Sequence, residues 1–390
     1  MSADAGNERE GLYEEELTSS MPHREAQWRE MEAYVERLGE QADLREPYAA
    51  DFSGEEAYLQ SIEPLRELLR ARTGYPPPGL GPVGEVRMEP IGEDRVARYY
   101  RCWVDVLGTA GDVALRMGMR QAALQPPSTG ETPVPPGAAL QVHGLYLVPQ
   151  GLSAPAPLVI AQHGGGGTPE TAIFAGAANY HDMIRGAAAR GYVVFAPHLI
   201  FNPFSDQQAG SPLPPGVRAR LDARLRLLGT SLTAVEVAKI SRALDALLPR
   251  PEIDPTRVAM VGLSYGGYYT LHTVAVEPRI KVAVSSCYFN DQSLRMPLNK
   301  PEVWSDMRFL GTVGDLADPE LVALACPRPL QVQVGKDDAM FPVGDARRRA
   351  TRAAAYYERL GVGERFEFVA FDGGHEWRGE AGWPFLEKWL

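Results

Sequence analysis

A single stretch of this sequence decides its fold, and it reads Arg257-Val-Ala-Met-Val-Gly-Leu-Ser-Tyr-Gly-Gly-Tyr-Tyr-Thr-Leu271. Val258 to Val261 is a short apolar run, which is typical of a strand buried on both faces. Gly262 to Gly266 then fits G-x-S-x-G, in which a strained turn pushes the central side chain clear of the backbone. This pattern also occurs by chance as an ordinary glycine-rich turn. Here it stands between a strand and a helix, so we predict a nucleophile elbow with Ser264 as the nucleophile.

The bulk composition excludes several classes of protein. A net charge of −11 argues against a nucleic acid or an anionic membrane as partner. The chain has 3 cysteines, too few and too scattered for a disulfide framework or a zinc site, which favours buried thiols in a reducing compartment. The first ten residues lack the basic and apolar regions of a signal peptide, and no apolar run reaches transmembrane length. These features predict a cytoplasmic protein.

The N-terminal part predicts helices and then strands. Apolar residues recur at helical spacing from Arg24 to Glu40, and Ser53-Gly-Glu-Glu56 resembles a capping box that starts a second helix. Such apolar stripes are more typical of a core than of a binding site, but the helices could also close a pocket or form a homo-oligomer. We predict an acidic disordered tail, a helical arm, antiparallel strands that lead into a sheet, and a catalytic domain, over residues 1–22, 23–80, 81–150 and 151–390 respectively.

Strands and helices alternate in the rest of the chain. This alternation predicts an α/β fold whose mainly parallel central sheet has helices on both faces. Helices are expected near 170–190, 230–248, 265–275, 344–360 and 380–390. The predicted parallel strands are Leu158–Gln162, Tyr192–Ala196, Val258–Gly262, Val282–Ser285, Leu330–Val334 and Phe366–Phe371, preceded by two or three antiparallel strands that include 96–107 and 140–148. Ligands bind such sheets at the carboxyl ends of the strands.

A glycine run follows the first of these parallel strands, in His163-Gly-Gly-Gly-Gly167. Glycines let the backbone approach a substrate closely and aim its N–H groups at a developing oxyanion. We predict Gly165 and Tyr265 as the donors, with Gly164 or Gly166 as alternatives. No Gly-Lys-Ser/Thr follows, so the run is not a phosphate-binding loop. His163 is interpreted as a structural residue of the loop.

Two later strand ends offer a carboxylate and an imidazole. Asp337 and Asp338 both come just after the strand Leu330–Val334, and either could orient a catalytic histidine. His375 follows the last strand after a Gly-Gly pair, which predicts it as the general base. The sequence has no H-E-x-x-H and no Cys/His cluster, so no metal site is predicted.

These segments resemble the α/β-hydrolase superfamily, and within it the branch of dienelactone hydrolases, acetyl xylan esterases and prolyl oligopeptidases. The elbow from Gly262 to Tyr268 is similar to the G-x-S-Y-G-G-Y of prolyl oligopeptidase-type peptidases. The branch's acid segment, G-x-x-D-x-x-x-P, matches Gly335 to Pro342 and favours Asp338 over Asp337. The resemblance covers about residues 140–390.

The resemblance implies an α/β-hydrolase fold and a serine hydrolase without a cofactor. It implies that Ser264, Asp338 and His375 form a catalytic triad that cleaves a small-molecule carboxylic ester through an acyl-enzyme. A peptidase or amidase is an alternative, although the N-terminal part shows none of the β-propeller repeats of oligopeptidases. Dienelactone hydrolases differ in using a cysteine nucleophile. A catalytically silent scaffold for partner binding is a second alternative.

The remaining strand ends are expected to supply the pocket walls. The sequence offers aromatic rings with a few polar groups there, as small-molecule sites do, although each of these residues could equally be loop packing. The candidates are His198, Phe201, Asn202 and Tyr288. Residues 201–215 and 294–310 have no regular pattern and could form a lid.

Overall fold

A computed structural model describes residues 13, 15–80, 84, 86–109, 138–174, 178–201, 216–295 and 305–390. The chain forms two compact units. One comprises Met1–Arg45 and Gln292–Pro301, and the other comprises Glu46–Asp291 and Glu302–Leu390. The predicted boundaries within the chain stay predictions.

The first unit contains one long helix, α1 (Met21–Asp43), which begins with a proline in its first turn. Short 3₁₀ helices precede it at Leu17–Ser20 and pack near it at Gln292–Arg295. The helix is longer than the predicted 24–40. Its apolar stripe was expected to be core, but Trp28, Met31 and Tyr34 are 62%, 53% and 50% exposed. Within the described residues, these apolar side chains of α1 therefore make little packing contact with other residues.

The second unit is built on one sheet of nine strands in the order β1-β2-β3-β5-β4-β6-β7-β8-β9, counted over the described residues. The pairs β1–β2, β2–β3 and β3–β5 are antiparallel. The pairs β5–β4, β4–β6, β6–β7, β7–β8 and β8–β9 are parallel. The strands are β1 (Arg87–Glu93), β2 (Ala97–Thr109), β3 (Ala138–Pro149), β4 (Ala156–Gln162), β5 (Val193–Pro197), β6 (Ile253–Leu263), β7 (Val282–Ser286), β8 (Leu330–Gly335) and β9 (Phe366–Phe371). The mainly parallel sheet with antiparallel leading strands is confirmed.

Helices cover both faces of this sheet. On one side lie α2 (Glu55–Thr73), α6 (Leu232–Leu247), α7 (Tyr265–Val276), α8 (Asp318–Ala325) and α9 (Val343–Arg359), and on the other α3 (Thr171–Phe174), α4 (Met183–Ala188) and α10 (Gly379–Trp389). A further helix, α5 (Val217–Leu227), precedes α6. Successive residues of a strand point to opposite faces, so Leu158 and Ile160 of β4 join the first core while Val159 and Ala161 join the second. This two-sided burial explains why the parallel strands are continuous apolar runs.

Two predicted helix features are wrong. The capping box at Ser53 is absent, because α2 begins at Glu55 with Gly54 as its N-cap, and no side chain caps it. The single helix expected over 170–190 is instead the pair α3 and α4. His181 and Asp182 adopt φ values of +45° and +52° just before α4, and a right-handed helix cannot pass through such residues.

The structure also contains helices that the sequence patterns did not predict, namely α5 and α8. None of the helices within the described ranges combines the length and the apolar character needed to cross a bilayer.

Candidate active site

The turn from β6 into α7 carries Ser264 at φ +60° and ψ −118°, a strained conformation for a residue with a Cβ. The Ser264 amide donates to the Ser286 carbonyl at 2.8 Å, and its carbonyl accepts from the Tyr268 amide at 2.9 Å. A Cβ on Gly262 would clash with the carbonyl of Gly266, so this glycine is required for the close approach of strand and helix. The local geometry is that of the predicted elbow, with the Ser264 side chain partly exposed.

The register of the sheet places the other loops beside this turn. Gln162 at the end of β4 pairs with Gly262 of β6, so the glycine run that follows β4 starts next to the elbow. Likewise, Gly335 of β8 pairs with Phe371 of β9, so the loops after these two strands start side by side. A Cβ on Gly335 would clash with the carbonyl of Gly374, which shows how closely the two loops approach.

Asp338 and His375 form a hydrogen-bonded pair in which the imidazole Nδ1 lies 2.8 Å from Asp338 Oδ2. The other carboxylate oxygen accepts from the amides of Met340 at 2.9 Å and Phe341 at 3.1 Å. The Asp338 side chain is fully buried and that of His375 is 18% exposed. Burial alone would raise the pKa of Asp338, but the contact with His375 and the two amide donors hold it below its usual value. The site therefore holds a carboxylate.

The neighbouring carboxylate, Asp337, lies in the turn. Its side chain is exposed and its amide donates to the Gly373 carbonyl at 2.9 Å. The ring of Phe341 stacks on the imidazole of His375, with ring centroids 5.7 Å apart and an angle of 18° between the ring planes. Backbone and ring contacts thus fix the imidazole in the orientation in which Nδ1 faces Asp338.

Ser286 links the turn of Ser264, the predicted nucleophile, to the loop that carries His375, the predicted base, which we call the base loop. Its carbonyl accepts the amide of Ser264, and its hydroxyl donates to the carbonyl of Glu376 at 3.2 Å. The described residues include no hydrogen bond between Ser264 Oγ and His375. Such catalytic hydrogen bonds are often long before substrate binds. The structure therefore joins Asp338 and His375 directly, and the turn of Ser264 to the loop of His375 through Ser286.

The glycine run lies directly on the elbow. A Cβ on Gly165 would be 2.9 Å from Cδ2 of Tyr265, and one on Gly164 would be 3.0 Å from Cβ of Ser264. The Gly164 amide donates to the Tyr180 hydroxyl at 3.0 Å, so this alternative donor is occupied. The amides of Gly165, Gly166 and Tyr265 find no acceptor in the part of the chain that the structure describes. These three N–H groups are available to an oxyanion.

His163 is fixed inside the loop. Its Nε2 accepts from the Leu199 amide at 3.0 Å, which makes Nδ1 the protonated nitrogen that donates to the Gly164 carbonyl at 2.8 Å. Burial lowers the pKa of His163 to about 3. The ring is therefore neutral, and it acts as a structural part of the loop.

Of the predicted pocket residues, Phe201 reaches the site. Its ring packs edge-on against Tyr265 with centroids 5.2 Å apart, and the guanidinium of Arg218, from α5, lies 4.2 Å from the Phe201 centroid. Tyr288 is buried and packs between Tyr268 and Phe341, so it supports the ring that stacks on His375. Asn202 lies outside the described residues.

His198, the remaining pocket candidate, belongs to a polar cluster. Its Nε2 lies 3.4 Å from Oε1 of Glu170, which also pairs with Arg101. Burial opposes ionisation of Glu170, but the hydrogen bonds and charges of His198 and Arg101 lower its pKa. His198 follows β5 and its ring lies 6.3 Å from that of His163, on the side of the glycine run.

A buried charged network behind Tyr265 was missed by the sequence analysis. Arg218 donates through Nε to Asp306 at 2.7 Å, and the Tyr265 hydroxyl donates to the same carboxylate at 3.2 Å. Nearby, Lys239 and Glu236 form a fully buried ion pair of 2.6 Å. Arg218 comes from the unpredicted helix α5, and no motif marks any of these residues.

Cys287 was also missed as part of the site. Its Sγ and the ligand atoms of Asp338 and His375 lie within 4.8 Å of one another, and among the described residues these three form the one set that could hold a metal ion. Burial raises the pKa of the Cys287 thiol to about 12. A metal would have to displace this thiol proton and the proton that Nδ1 of His375 shares with Asp338.

The sheet order, the elbow after β6 and the carboxylate–imidazole pair at the ends of β8 and β9 define the α/β-hydrolase fold. No protein-family model matches the chain. The "Putative hydrolase YtaP" of Bacillus subtilis is 26% identical over 261 residues, which are 63% of this chain and 82% of that protein.

Solved structures show the same architecture. An acetyl xylan esterase from Paenibacillus sp. R4 superposes with a TM-score of 0.53 at 16% identity, over 88% of this chain and 98% of that one. A glucuronoyl esterase from Solibacter usitatus gives a TM-score of 0.55 at 14% identity, over 86% and 93% of the two chains. At these identities the likeness establishes the fold, and the predicted resemblance is confirmed at that level.

Proposed function

We propose that the protein is a serine hydrolase that cleaves a carboxylic ester through an acyl-enzyme. Ser264 is the nucleophile, His375 the general base and Asp338 the residue that orients the base. The observation that carries the proposal is the 2.8 Å pair of His375 and Asp338 beside a strained serine turn, joined to it through Ser286. The fold shared with two esterases and the likeness to YtaP support hydrolase chemistry.

The hydrogen bond to Asp338 determines the role of each ring nitrogen. Because Nδ1 donates to the carboxylate, Nε2 carries the free lone pair and takes the proton of Ser264 as Oγ attacks the ester carbonyl. The resulting oxyanion is held by the amides of Gly165 and Tyr265. The C–O bond to the alcohol then breaks, and the alcohol leaves with the proton from Nε2. Water, deprotonated by the same nitrogen, hydrolyses the acyl-enzyme and returns the proton to Ser264.

An ester of a carbohydrate is the substrate class that we favour. The names of both structural neighbours refer to carbohydrate esters. In addition, the cluster of Arg101, Glu170 and His198 offers hydrogen-bonding side chains that are 40%, 25% and 34% exposed. Sugar hydroxyls suit such half-exposed polar groups beside aromatic rings.

The test is labelling by a fluorophosphonate probe together with hydrolysis of p-nitrophenyl acetate. The Ser264→Ala variant should lose labelling and about 10⁴-fold or more of the rate. Ser153→Ala, a change at an exposed serine outside the site, is the matched control and should behave as wild type. Retained hydrolysis in Ser264→Ala would overturn the mechanism.

Two panels refine the substrate. Faster cleavage of peptide p-nitroanilides than of esters would favour the peptidase or amidase alternative, and an unreactive wild type would favour the silent scaffold. A series of p-nitrophenyl esters of increasing acyl length should show preference for acetyl. Several other expectations from the sequence stay predictions. These are the absence of a cofactor, the absence of nucleic-acid and membrane partners, the cytoplasmic location and a homo-oligomer through the N-terminal helices.

A further inference from the structure

A short segment between α3 and α4, Asn179 to Asp182, contacts two different loops of the proposed active site. We call it the bracing segment. It lies far in sequence from both the elbow and the base loop, and no motif marks it. Its contacts are made by side chains and by backbone of consecutive residues.

Tyr180 contacts the glycine run. Its buried hydroxyl accepts the Gly164 amide at 3.0 Å. The same hydroxyl occupies the space where a Cβ on Gly167 would lie, so the loop can close over it only with glycine there. The Gly164 amide belongs to the peptide unit directly before the one that carries the Gly165 N–H, so this hydrogen bond restrains the residue from which the Gly165 amide extends. The Gly165 amide is a proposed oxyanion donor.

Asn179 contacts the base loop. Its side-chain amide donates to the carbonyl of His375 at 3.1 Å, and its own carbonyl accepts the Trp377 amide at 2.9 Å. His181 adds an exposed contact, in which Nε2 lies 2.6 Å from Oε2 of Glu376. The bracing segment therefore holds the base loop at His375 and at the two residues that follow it.

The backbone of the bracing segment is strained where these contacts are made. His181 and Asp182 have positive φ although neither is glycine, a conformation that is unfavourable for residues with a Cβ. Such a conformation persists only where surrounding contacts determine it, and the contact of His181 with Glu376 of the base loop is one of them.

We propose that Tyr180 and Asn179 are positioning residues, one for the oxyanion donors and the other for the general base, so that a single segment sets the spacing between these two parts of the site. This inference rests on the proposed function. Neither residue touches the reacting atoms, and each acts through the loop it holds.

The two residues should give different kinetic signatures. Tyr180→Phe removes the acceptor of the Gly164 amide, so kcat for p-nitrophenyl acetate should fall about 10- to 100-fold, less than for a lost oxyanion donor, while KM and the acid limb of the pH profile stay unchanged. Asn179→Ala loosens His375 against Asp338. A weaker carboxylate contact stabilises the imidazolium less, so the acid limb of kcat/KM should move to lower pH and kcat should fall.

Matched controls exist for both changes. Tyr192→Phe removes the hydroxyl of a buried tyrosine, for which the described residues show no hydrogen bond. Gln150→Ala removes an exposed amide that donates to a backbone carbonyl at 3.1 Å, as Asn179 does, but far from the site. Both controls should keep the wild-type kinetics. The inference would be overturned if Tyr180→Phe and Asn179→Ala showed the same kinetics as these controls. If the wild type is active and Ser264→Ala is not, that result would leave the proposed function standing.

Amide hydrogen exchange gives a readout that does not require activity. Tyr180→Phe should speed exchange at least tenfold in residues 163–167 and leave residues 375–377 unchanged, and Asn179→Ala should do the reverse. Asn179→Ser, which keeps a short polar side chain, replaces the alanine variant if that one does not fold. Unchanged exchange in both loops would refute the bracing role. A wild type that neither labels nor hydrolyses esters refutes the proposed function instead.

Discussion

Replacing Asp338 by asparagine tests how the structure sets the proton on the imidazole of His375, the proposed general base. In the protein, Oδ1 of Asp338 accepts the amides of Met340 and Phe341, and Oδ2 accepts Nδ1–H of His375. The introduced asparagine would keep its oxygen on the two backbone amides, because they are fixed donors. Its NH₂ group would then face His375, and only a ring with an unprotonated Nδ1 can accept from it. The proton of the neutral ring therefore moves to Nε2.

This tautomer removes the lone pair that should accept the Ser264 proton. The same exchange in serine proteases lowers kcat by about 10⁴-fold with the geometry intact. A factor of this size corresponds to about 5.4 kcal/mol of transition-state stabilisation. KM should change little, because Asp338 is buried beneath His375 and does not reach bound substrate. Fold and thermal stability should stay near wild type, since the backbone hydrogen bonds remain.

The assay is steady-state hydrolysis of p-nitrophenyl acetate, with circular dichroism and thermal unfolding to check the fold. Asp337→Asn is a close control, because it makes the same chemical change at the adjacent exposed residue, and it should retain wild-type activity. Activity of Asp338→Asn within tenfold of wild type would refute the reasoning. Loss in Asp337→Asn instead would transfer the acid role to that residue.

Two further predictions concern stability. Gly266→Ala should lower the free energy of unfolding by about 1–3 kcal/mol or more, because its Cβ would clash with the carbonyl of Gln162. Gly344→Ala has open space around its Cβ and should change the free energy of unfolding by less than about 1 kcal/mol. Equal effects of the two changes in urea unfolding would contradict this prediction. Burial lowers the pKa of His163 to about 3 and of His272 to about 4 in the folded protein. As the pH falls, both histidines therefore become protonated in the unfolded chain before they do in the folded protein. The free energy of unfolding should be highest above about pH 6.5 and should decrease as the pH falls towards 4. The slope should be up to about 1.4 kcal/mol per pH unit for each ring, and His272→Phe should reduce it by about half; a slope unaffected by this change would refute the assignment.

The sheet and the positions of the candidate catalytic residues could be predicted from the sequence for a physical reason. Strands of a parallel sheet covered on both faces must be continuous apolar runs, so each is visible locally, and their carboxyl ends must meet at one edge. Ser264, Asp338 and His375 each follow such a run directly. Their positions could therefore be inferred strand by strand without knowledge of tertiary contacts.

The supporting residues could not be inferred in this way. Arg218 and Tyr180 reach the site from segments with no periodicity, and their partners are distant in sequence. The break between α3 and α4 involves positive φ at His181 and Asp182, which are not glycines. His and Asp adopt positive φ more often than most residues, but they do so too rarely for the sequence alone to predict it here. Here tertiary hydrogen bonds override local preference, and local preference is all that a single sequence displays.

The glycine run after β4, which carries the proposed oxyanion donor Gly165, shows how residues that the sequence predicts combine with supporting residues that it does not. His163 is anchored on the Leu199 amide and Gly164 on Tyr180, whereas the next amide, that of Gly165, is left without an acceptor in the described part of the chain. Gly165 is exposed, so its N–H group can reach a ligand at the surface of the loop. Donors held rigidly towards a charge that develops later are what electrostatic stabilisation of a transition state requires. Contacts that hold the residues before an exposed donor in place are therefore what the proposed role of Gly165 in oxyanion binding requires.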